Sequence, residues 1–251
     1  MFLALLGSRG LFSQMQESLS HINGKRVTLT QGVHEALADS QWLAEDMASR
    51  PTRLFKLVPL SPTLDGYHDS SGIMCGEVVL PGPSAVPRVL QKQPSAALPS
   101  KDKLAAHPIV WHVSYPQDVV DRLVTYKNPR GDINNLGLEL ARDVFQHCCA
   151  ADSYDVRERA VLSHTNNSAG MWWMRKGSAT FTFPPAHLLR LQAFHQRHHR
   201  YVPRHEFVSG VDNDISDVPP RSSALLYNQL IGFLNPHFLQ SLSWRMWIPP
   251  P

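Results

Sequence analysis

The chain has 251 residues, of which 43% are hydrophobic, and its formal net charge is +3 at pH 7. This size and apolar content allow one large or two small domains with a hydrophobic core. No stretch approaches the ~18 consecutive apolar residues of a membrane-spanning helix, so a membrane partner is not expected. The mild positive charge permits a polyanionic partner without requiring one.

The cysteines and the first residues indicate the compartment. The three cysteines, Cys75, Cys148 and Cys149, form neither a CxxC pair nor a regular disulfide framework. The opening MFLALLGSRG lacks a basic stretch before its apolar run and a convincing cleavage site after it. These features predict an intracellular protein, in the cytoplasm or nucleus, that is not secreted. Because this opening continues directly into a helical pattern, we expect the chain to be a piece of a longer one.

The first fifty residues have mainly helical periodicity. Apolar residues at helical spacing predict a helix over residues 8–22, and a short alternation predicts a strand over 26–30. A second helix is predicted over 31–49 and ends before Arg50-Pro51. This block carries no chemistry of its own and is expected to bury one face against another part of the protein.

The central part of the chain alternates between strands and helices. Residues 66–83, GYHDSSGIMCGEVVLPGP, predict a strand, a tight turn and a second strand. Residues 81–108 are rich in proline and predict a loop or an eroded hairpin. A strand is predicted over 109–113, a helix over 133–150 and a further strand over 157–163.

The last third begins with Met171, Trp172 and Trp173, which predict a helix or a loop. Pro184-Pro185 then starts an amphipathic helix, AHLLRLQAFHQRHHR, because proline is tolerated in a first turn. A strand is predicted over 201–208, followed by a turn into a short helix, whereas residues from 219 onward follow no clear pattern. The order of elements indicates an α/β protein with a mixed sheet.

Four short motifs follow one another at the ends of these elements. They are DSSG beginning at Asp69, LGLELA around Glu139, LSHTNN around Asn166 and GVDNDISD ending at Asp217. Together they resemble the ribonuclease H domain of retrotransposon pol polyproteins, and more closely the reverse transcriptase–ribonuclease H portion of oomycete and fungal retroelements. The stretches LAEDMASRPT, YDVRER, LLRLQAFHQRHHRYVP and WRMWIPPP resemble the same group.

The resemblance implies a fold and partners. Residues 1–56 would be a helical segment similar to a thumb or connection, and 57–222 a ribonuclease H-like domain with a mixed five-stranded sheet flanked by helices. Residues 223–251 would form an irregular tail. The implied partners are an RNA–DNA hybrid or other nucleic acid and the upstream reverse transcriptase palm of a parent polyprotein. No YxDD-like motif is present in the chain, so DNA synthesis is not expected.

The resemblance also implies a chemistry. Such domains cleave the RNA strand of a hybrid with two Mg²⁺ or Mn²⁺ ions about 3.5–4 Å apart. By resemblance, Asp69 would bridge the metals, Glu139 and the position of Asn166 would hold one, and Asp217 the other. The third position is normally Asp, and an amide brings no charge to Mg²⁺. We therefore expect hydrolysis to be impaired.

Each of these residues also has an ordinary structural interpretation. Asp69 before Ser-Ser-Gly is typical of a turn, and Asn166 could equally be a turn residue. Glu139 could lie on a solvated helix face. Asp217 competes with Asp212 and Asp214, because DNDISD also suits a polar loop and helix cap.

The basic helix offers a second candidate surface. It could track phosphates through Arg190, Arg197, His198, Arg200 and Arg204. The alternative is a solvated face opposite apolar residues of the same helix. His195 and His199 have the spacing of zinc ligands, but no third ligand is evident in the sequence. Trp172 and Trp173 could stack on bases, but the pattern favours core packing under the sheet.

Two further hypotheses concern the chain as a whole. It could be a non-catalytic nucleic-acid-binding module that uses the basic helix without metals. It could also be a decayed, non-functional fragment of a pol polyprotein. Convergence of Asp69, Glu139, Asn166 and Asp217 on one point is the geometric result that the ribonuclease H hypothesis requires.

Overall fold

A computed structural model describes residues 30–50, 61–88, 105–177, 183–222, 225–238 and 240–250. The helix predicted over 8–22 and all but the last residue of the strand predicted over 26–30 lie outside these ranges. Most of the proline-rich segment, residues 89–104, lies outside them as well.

The described elements follow the predicted order closely. The strands are β1 Leu64–Ser70, β2 Met74–Pro81, β3 Ile109–Ser114, β4 Ala160–Thr165, β5 Val202–Phe207 and β6 Arg245–Met246. The helices are α1 Gln31–Ser49, α2 Gln117–Asp121, α3 Asn135–Ser153, α4 Ser168–Lys176, α5 Phe183–His199, α6 Asp214–Arg221 and α7 Tyr227–His237, with a 3₁₀ turn at Gly210–Asp212. The α/β class with a mixed sheet flanked by helices is confirmed.

The six strands lie in the order β5-β4-β1-β2-β3-β6. Strand β2 is antiparallel to both β1 and β3, with Asp69 opposite Gly76 in the first pair. Strands β4 and β1 are parallel neighbours, and β5 runs parallel to β4. The carboxyl ends of β1, β4 and β5 therefore meet at one edge of the sheet, which is where site residues of α/β proteins commonly lie.

Each face of the sheet has its own hydrophobic core. On one face, side chains of β1–β4 such as Val79 and Trp111 pack against Cys149 and Tyr154 at the end of α3. On the other face, Val78 and Val110 pack with residues of α6 and α7. Because β2 is covered on both faces, its first six residues are all buried.

The prediction of a five-stranded sheet followed by an irregular tail is wrong for the part of the tail that the structure describes. Leu230 and Leu234 of α7 are fully buried against the sheet, together with Trp244. The chain then returns along β3 as a sixth strand, with Ile109 opposite Arg245. Pro236 interrupts the helical pattern in the sequence, and a two-residue strand leaves no periodic signal.

Helix α1 packs against α5 rather than against the sheet. Leu43 and Ala193 form a small buried core, and the Trp42 and Phe194 rings meet edge to face with centroids 4.9 Å apart. Thr30 caps the helix by accepting a hydrogen bond from the Val33 amide. Among the described helices, none combines the length and the hydropathy required of a bilayer span.

Candidate functional site

Asp69 and Asn166 are brought together by the parallel pairing of β1 and β4. Asp69 lies near the carboxyl end of β1, and Asn166 follows the last residue of β4. The Asn166 Nδ2 atom donates to Asp69 Oδ1 at 3.4 Å. The next residue, Asn167, caps α4 by accepting from the Gly170 amide. The turn therefore divides its two amides between the helix cap and the neighbouring carboxylate.

Asp217 reaches Asp69 because α6 lies very close to the sheet. A Cβ atom on Gly76 of β2 would lie 2.6 Å from the Cβ of Pro219, so only glycine permits this approach. The fully buried Asn213, just before α6, donates its Nδ2 to the backbone carbonyl of His68 at 3.3 Å. These contacts hold the first turn of α6 over the end of β1.

The carboxyl group of Asp217 lies close enough to that of Asp69 for the two to interact. Burial, followed by the hydrogen bond to Asp69 and the charge of that residue, raises the pKa of Asp217 to about 6. Arg221 opposes this shift from one turn away, with its Nη2 atom 2.7 Å from Asp217 Oδ2. The charge of Asp69 therefore disfavours the ionised form of Asp217, and a cation between them would favour it. Asp212, by contrast, is exposed and accepts from the Ser209 hydroxyl.

Glu139 lies in the first half of α3, beside the end of β1, and its side chain is 2% exposed, which rules out a solvated face. Its Oε1 atom accepts from the Ser70 hydroxyl at 2.8 Å. Its Oε2 atom is ion-paired with Arg142 one turn along the helix and is 3.5 Å from the Thr165 hydroxyl. Both carboxylate oxygens are therefore engaged by protein donors.

Arg142 links Glu139 to Asp69 and was not predicted as a site residue. Its side chain is fully buried, and its Nη1 atom lies 4.0 Å from Asp69 Oδ1. In the part of the chain that the structure describes, Nη1 and Nε have no hydrogen-bond partner. Burial raises the pKa of the nearby Glu77 well above its usual range, which favours the neutral form of that side chain.

A second polar cluster lies beneath this site, centred on Asp143. Its Oδ1 accepts from the Ser163 hydroxyl at 2.7 Å, and its Oδ2 accepts from Gln192 and from His205 Nε2 at 3.2 Å. His147 Nδ1 is 3.5 Å from the same Oδ2 and donates to the Asp143 carbonyl at 2.7 Å. All five residues are buried. The charges of His205 and His147 and the hydrogen bonds hold the pKa of Asp143 well below its usual value, against the effect of burial.

The same cluster also has the composition of a metal site. One ligand atom from each of Asp143, His147 and His205 lies within 4.8 Å of the other two. However, the protein's own donors already serve both carboxylate oxygens, and His147 Nδ1 is committed to a backbone carbonyl. We therefore describe it as a hydrogen-bonded hub, the Asp143 hub, which joins α3, β4, β5 and α5.

Some basic side chains of the predicted phosphate-binding surface form ion pairs within the protein, and the others are exposed or half-buried. Arg190 is bidentate to Asp39, and Arg197 is paired with Asp46, so both guanidinium groups hold α1 against α5. The Arg200 Nη2 atom is 3.2 Å from Glu158 Oε1. The remaining members of the predicted surface, His198 and Arg204, are exposed and half-buried respectively. The structure thus directs Arg190 and Arg197 toward α1.

The remaining candidates from the sequence, two histidines and two tryptophans, differ in how deeply they are buried. The Nδ1 atom of His195 is hydrogen-bonded to the Tyr201 hydroxyl at 3.0 Å. Burial, followed by the charge of His199, lowers the pKa of His195 to about 3. Within the described ranges, no third ligand joins His195 and His199. Trp173 packs at the edge of a buried cluster, whereas Trp172 is 53% exposed and lies under Arg175.

Comparison of the chain with protein-family models, curated proteins and solved structures gives no match. Function must therefore be argued from the geometry of the site. That geometry places Asn166 and Asp217 each beside Asp69 and connects Glu139 to Asp69 through Arg142. We refer to these five residues as the carboxylate site.

Proposed function

We propose that the chain is a ribonuclease H-like domain of retroelement type that binds an RNA–DNA hybrid through a divalent cation held at the carboxylate site, with impaired hydrolysis. The observation that carries the proposal is the convergence of Asp69, Asn166 and Asp217 at the carboxyl edge of β1 and β4. The strand order β3-β2-β1-β4-β5, with β2 antiparallel, is compatible with a ribonuclease H-like sheet.

The chemistry of the pair at Asp69 and Asp217 supports a cation. The negative charge of Asp69 contributes to the raised pKa of Asp217, and a bound cation would relieve that repulsion. Mg²⁺ and Mn²⁺ take hard oxygen ligands from a few carboxylates and keep several waters, which suits side chains that are partly open to solvent. The side chains of Asp69 and Asp217 are 15% and 26% exposed.

Impairment follows from Asn166. An amide oxygen can coordinate Mg²⁺ but adds no negative charge, so the cation is held less tightly and the leaving oxygen is less well stabilised. In the structure the amide nitrogen of Asn166 faces Asp69, and rotation of the amide would present its oxygen instead.

The test is cleavage of a labelled RNA–DNA hybrid in Mg²⁺ and in Mn²⁺ by the full chain and by Asn166→Asp. We expect weak cleavage by the natural sequence and an increase of ~10-fold or more in the variant, because a carboxylate restores the missing charge. Asp217→Asn should abolish the gain, and Asp212→Asn, at an exposed position five residues earlier in the same motif, is the matched control. The proposal is rejected if a folded Asn166→Asp variant shows no cleavage and Asp217→Asn leaves the affinity for the hybrid unchanged.

A non-catalytic nucleic-acid-binding module is the second candidate. The ion pair between Arg142 and Glu139 favours it, because this pair withdraws one of the four expected catalytic side chains from solvent. This candidate predicts hybrid binding that is independent of divalent cations, with no cleavage by either the natural sequence or Asn166→Asp.

A further inference from the structure

We infer that the Arg142 guanidinium is a built-in cation of the carboxylate site, so that the site holds one divalent cation instead of two. The inference rests on the proposed function, because it concerns the number of cations at the same residues. It depends on one contact geometry, the position of Arg142 between Glu139 and Asp69.

The first step concerns the ligands that a cation at Glu139 would need. Both Glu139 oxygens already accept from the protein, one from Ser70 and one from Arg142, and the side chain is 2% exposed. A hydrated Mg²⁺ keeps several of its waters and loses them reluctantly. A carboxylate that is 2% exposed and already ion-paired with Arg142 leaves no room for an ion that keeps its waters.

The second step concerns charge. A guanidinium stays protonated in proteins and cannot be neutralised to make room for a metal. Here it is fully buried, and its unpartnered Nη1 atom is aimed at Asp69 Oδ1 from 4.0 Å. A dication bridging Asp69 and Glu139 would lie beside this fixed positive charge in a poorly solvated space, where repulsion is weakly screened.

The side of Asp69 that faces Asn166 and Asp217 differs from the Glu139 side both in its exposure to solvent and in its charge. The side chains there, those of Asn166 and Asp217, are partly open, and the nearest cation is Arg221, whose side chain is 69% exposed and free to turn into solvent. One divalent cation can therefore bind among Asp69, Asn166 and Asp217 without displacing a buried group. The site is divided into a half filled by the protein's own cation and a half open to a metal.

This division has a consequence for Asn166. Converting it to Asp adds charge to the open half and tightens the one cation there, but it does not create a second position. Two cations require a second change, at Arg142, which frees Glu139. Arg142 thus determines the number of metal ions rather than the presence of a metal.

The experiment is a titration of the full chain with MnCl₂, in which calorimetry and the EPR signal of free Mn²⁺ give the number of bound ions. We expect one ion per chain for the natural sequence, and one ion bound ~10-fold more tightly for Asn166→Asp. The double variant Asn166→Asp/Arg142→Gln should bind two. The matched control, Asn166→Asp/Arg221→Gln, removes a cation that touches Asp217 but not Glu139, and it should still bind one.

The Asn166→Asp protein alone decides the inference, because it keeps Arg142 and the buried ion pair intact. Two ions in that protein would overturn the role of Arg142 and leave the proposed function standing. No bound ion in any folded variant would instead remove the proposed function and the inference together. Thermal unfolding followed by circular dichroism establishes folding for each variant, so an unfolded Arg142→Gln chain cannot be taken for a result.

Discussion

The carboxylate site and the Asp143 hub each include an acidic residue of α3, Glu139 and Asp143, only one turn apart. The two clusters nevertheless differ in how their carboxylates are surrounded. In the hub, Asp143 is fully buried and receives hydrogen bonds from side chains of β4, α5 and β5. In the carboxylate site, Asp69 and Asp217 are partly open and contact each other. A buried acid that has enough donors stabilises a fold, whereas neighbouring acids that are open to solvent leave a place for a cation.

Consecutive residues of α3 separate the two clusters. Arg142 turns toward Glu139 and Asp69, and Asp143 turns toward Ser163 and His205. A single helix can serve both because side chains one residue apart point about 100° apart around its axis. The comparison therefore predicts that substitutions at 142 and 143 have different consequences, the first for metal binding and the second for folding.

The largest expected effect is at the centre of the hub. Asp143→Ala leaves the hydrogen-bond donors of Ser163, Gln192 and His205 without their shared acceptor inside the core. We expect a loss of about 3–5 kcal/mol in the free energy of unfolding, measured by urea denaturation. Asp118→Ala, at an exposed position of α2, is the control and should change stability by less than about 0.5 kcal/mol. A hub variant as stable as this control would mean that the donors find other partners.

The second prediction tests the support of the carboxylate site. Gly76→Ala forces its new Cβ atom into Pro219, so α6 must move away from β2 and carry Asp217 away from Asp69. We expect a loss of about 1–3 kcal/mol from overpacking, together with weaker Mn²⁺ binding. Gly72→Ala is the matched control, because among the described residues no atom beyond the adjacent ones lies within 4 Å of the position its Cβ would take. Unchanged Mn²⁺ affinity in a destabilised Gly76→Ala protein would show that Asp217 is not a ligand.

How far the sequence predicts these two regions depends on the range of the interactions. The helix over 31–49 and the strand–turn–strand around Asp69 repeat with a clear period, and both are found. Asp69, Asn166 and Asp217 could be proposed together because the motifs that contain them resemble those of a known domain. The sequence does show that Arg142 shares a helix face with Glu139, but nothing in it says that this face is buried.

The hub could not be predicted for a related reason. Asp143, Ser163, Gln192 and His205 come from four elements, and only the parallel pairing of β4 with β5 and the packing of α5 bring them together. The basic helix gave an incomplete prediction in the same way. Its periodicity and charge are visible in the sequence, but the fact that α1 supplies Asp39 and Asp46 opposite Arg190 and Arg197 is a tertiary result.

The third prediction concerns acid and distinguishes the buried histidines from the carboxylates. The folded pKa of His195 is lowered to about 3, mainly by burial, whereas the unfolded chain binds a proton near pH 6.5. Folding stability is therefore intact above pH 6.5 and falls as the pH drops below it, by up to about 1–2 kcal/mol at pH 5 for this residue. Burial also lowers the pKa values of His68 and His147, which adds to the loss.

The measurement for this prediction is the urea midpoint as a function of pH between 7 and 5. His195→Gln should flatten the profile, and His34→Gln, at an exposed position of α1, should leave it unchanged. A profile of the same slope in His195→Gln would place the acid sensitivity elsewhere, in the buried His68 and His147 or in the carboxylates.

The smallest expected effect concerns Arg190, and it decides between the two roles considered for the basic helix. Arg190→Gln leaves the carboxylate of Asp39 without its bidentate partner, and Asp39 is 5% exposed, so we expect a loss of about 1 kcal/mol in unfolding free energy. The exchanged pair Asp39→Arg/Arg190→Asp should recover part of that loss. If Arg190 instead contacts phosphate, Arg190→Gln will weaken hybrid binding. It will also reduce the slope of log affinity against log salt concentration by about one. The exchanged pair has the same net charge as the natural sequence. Recovery of stability without recovery of hybrid affinity would therefore show that Arg190 has both roles. Recovery of neither would show that contact with α1 is not the main role of Arg190.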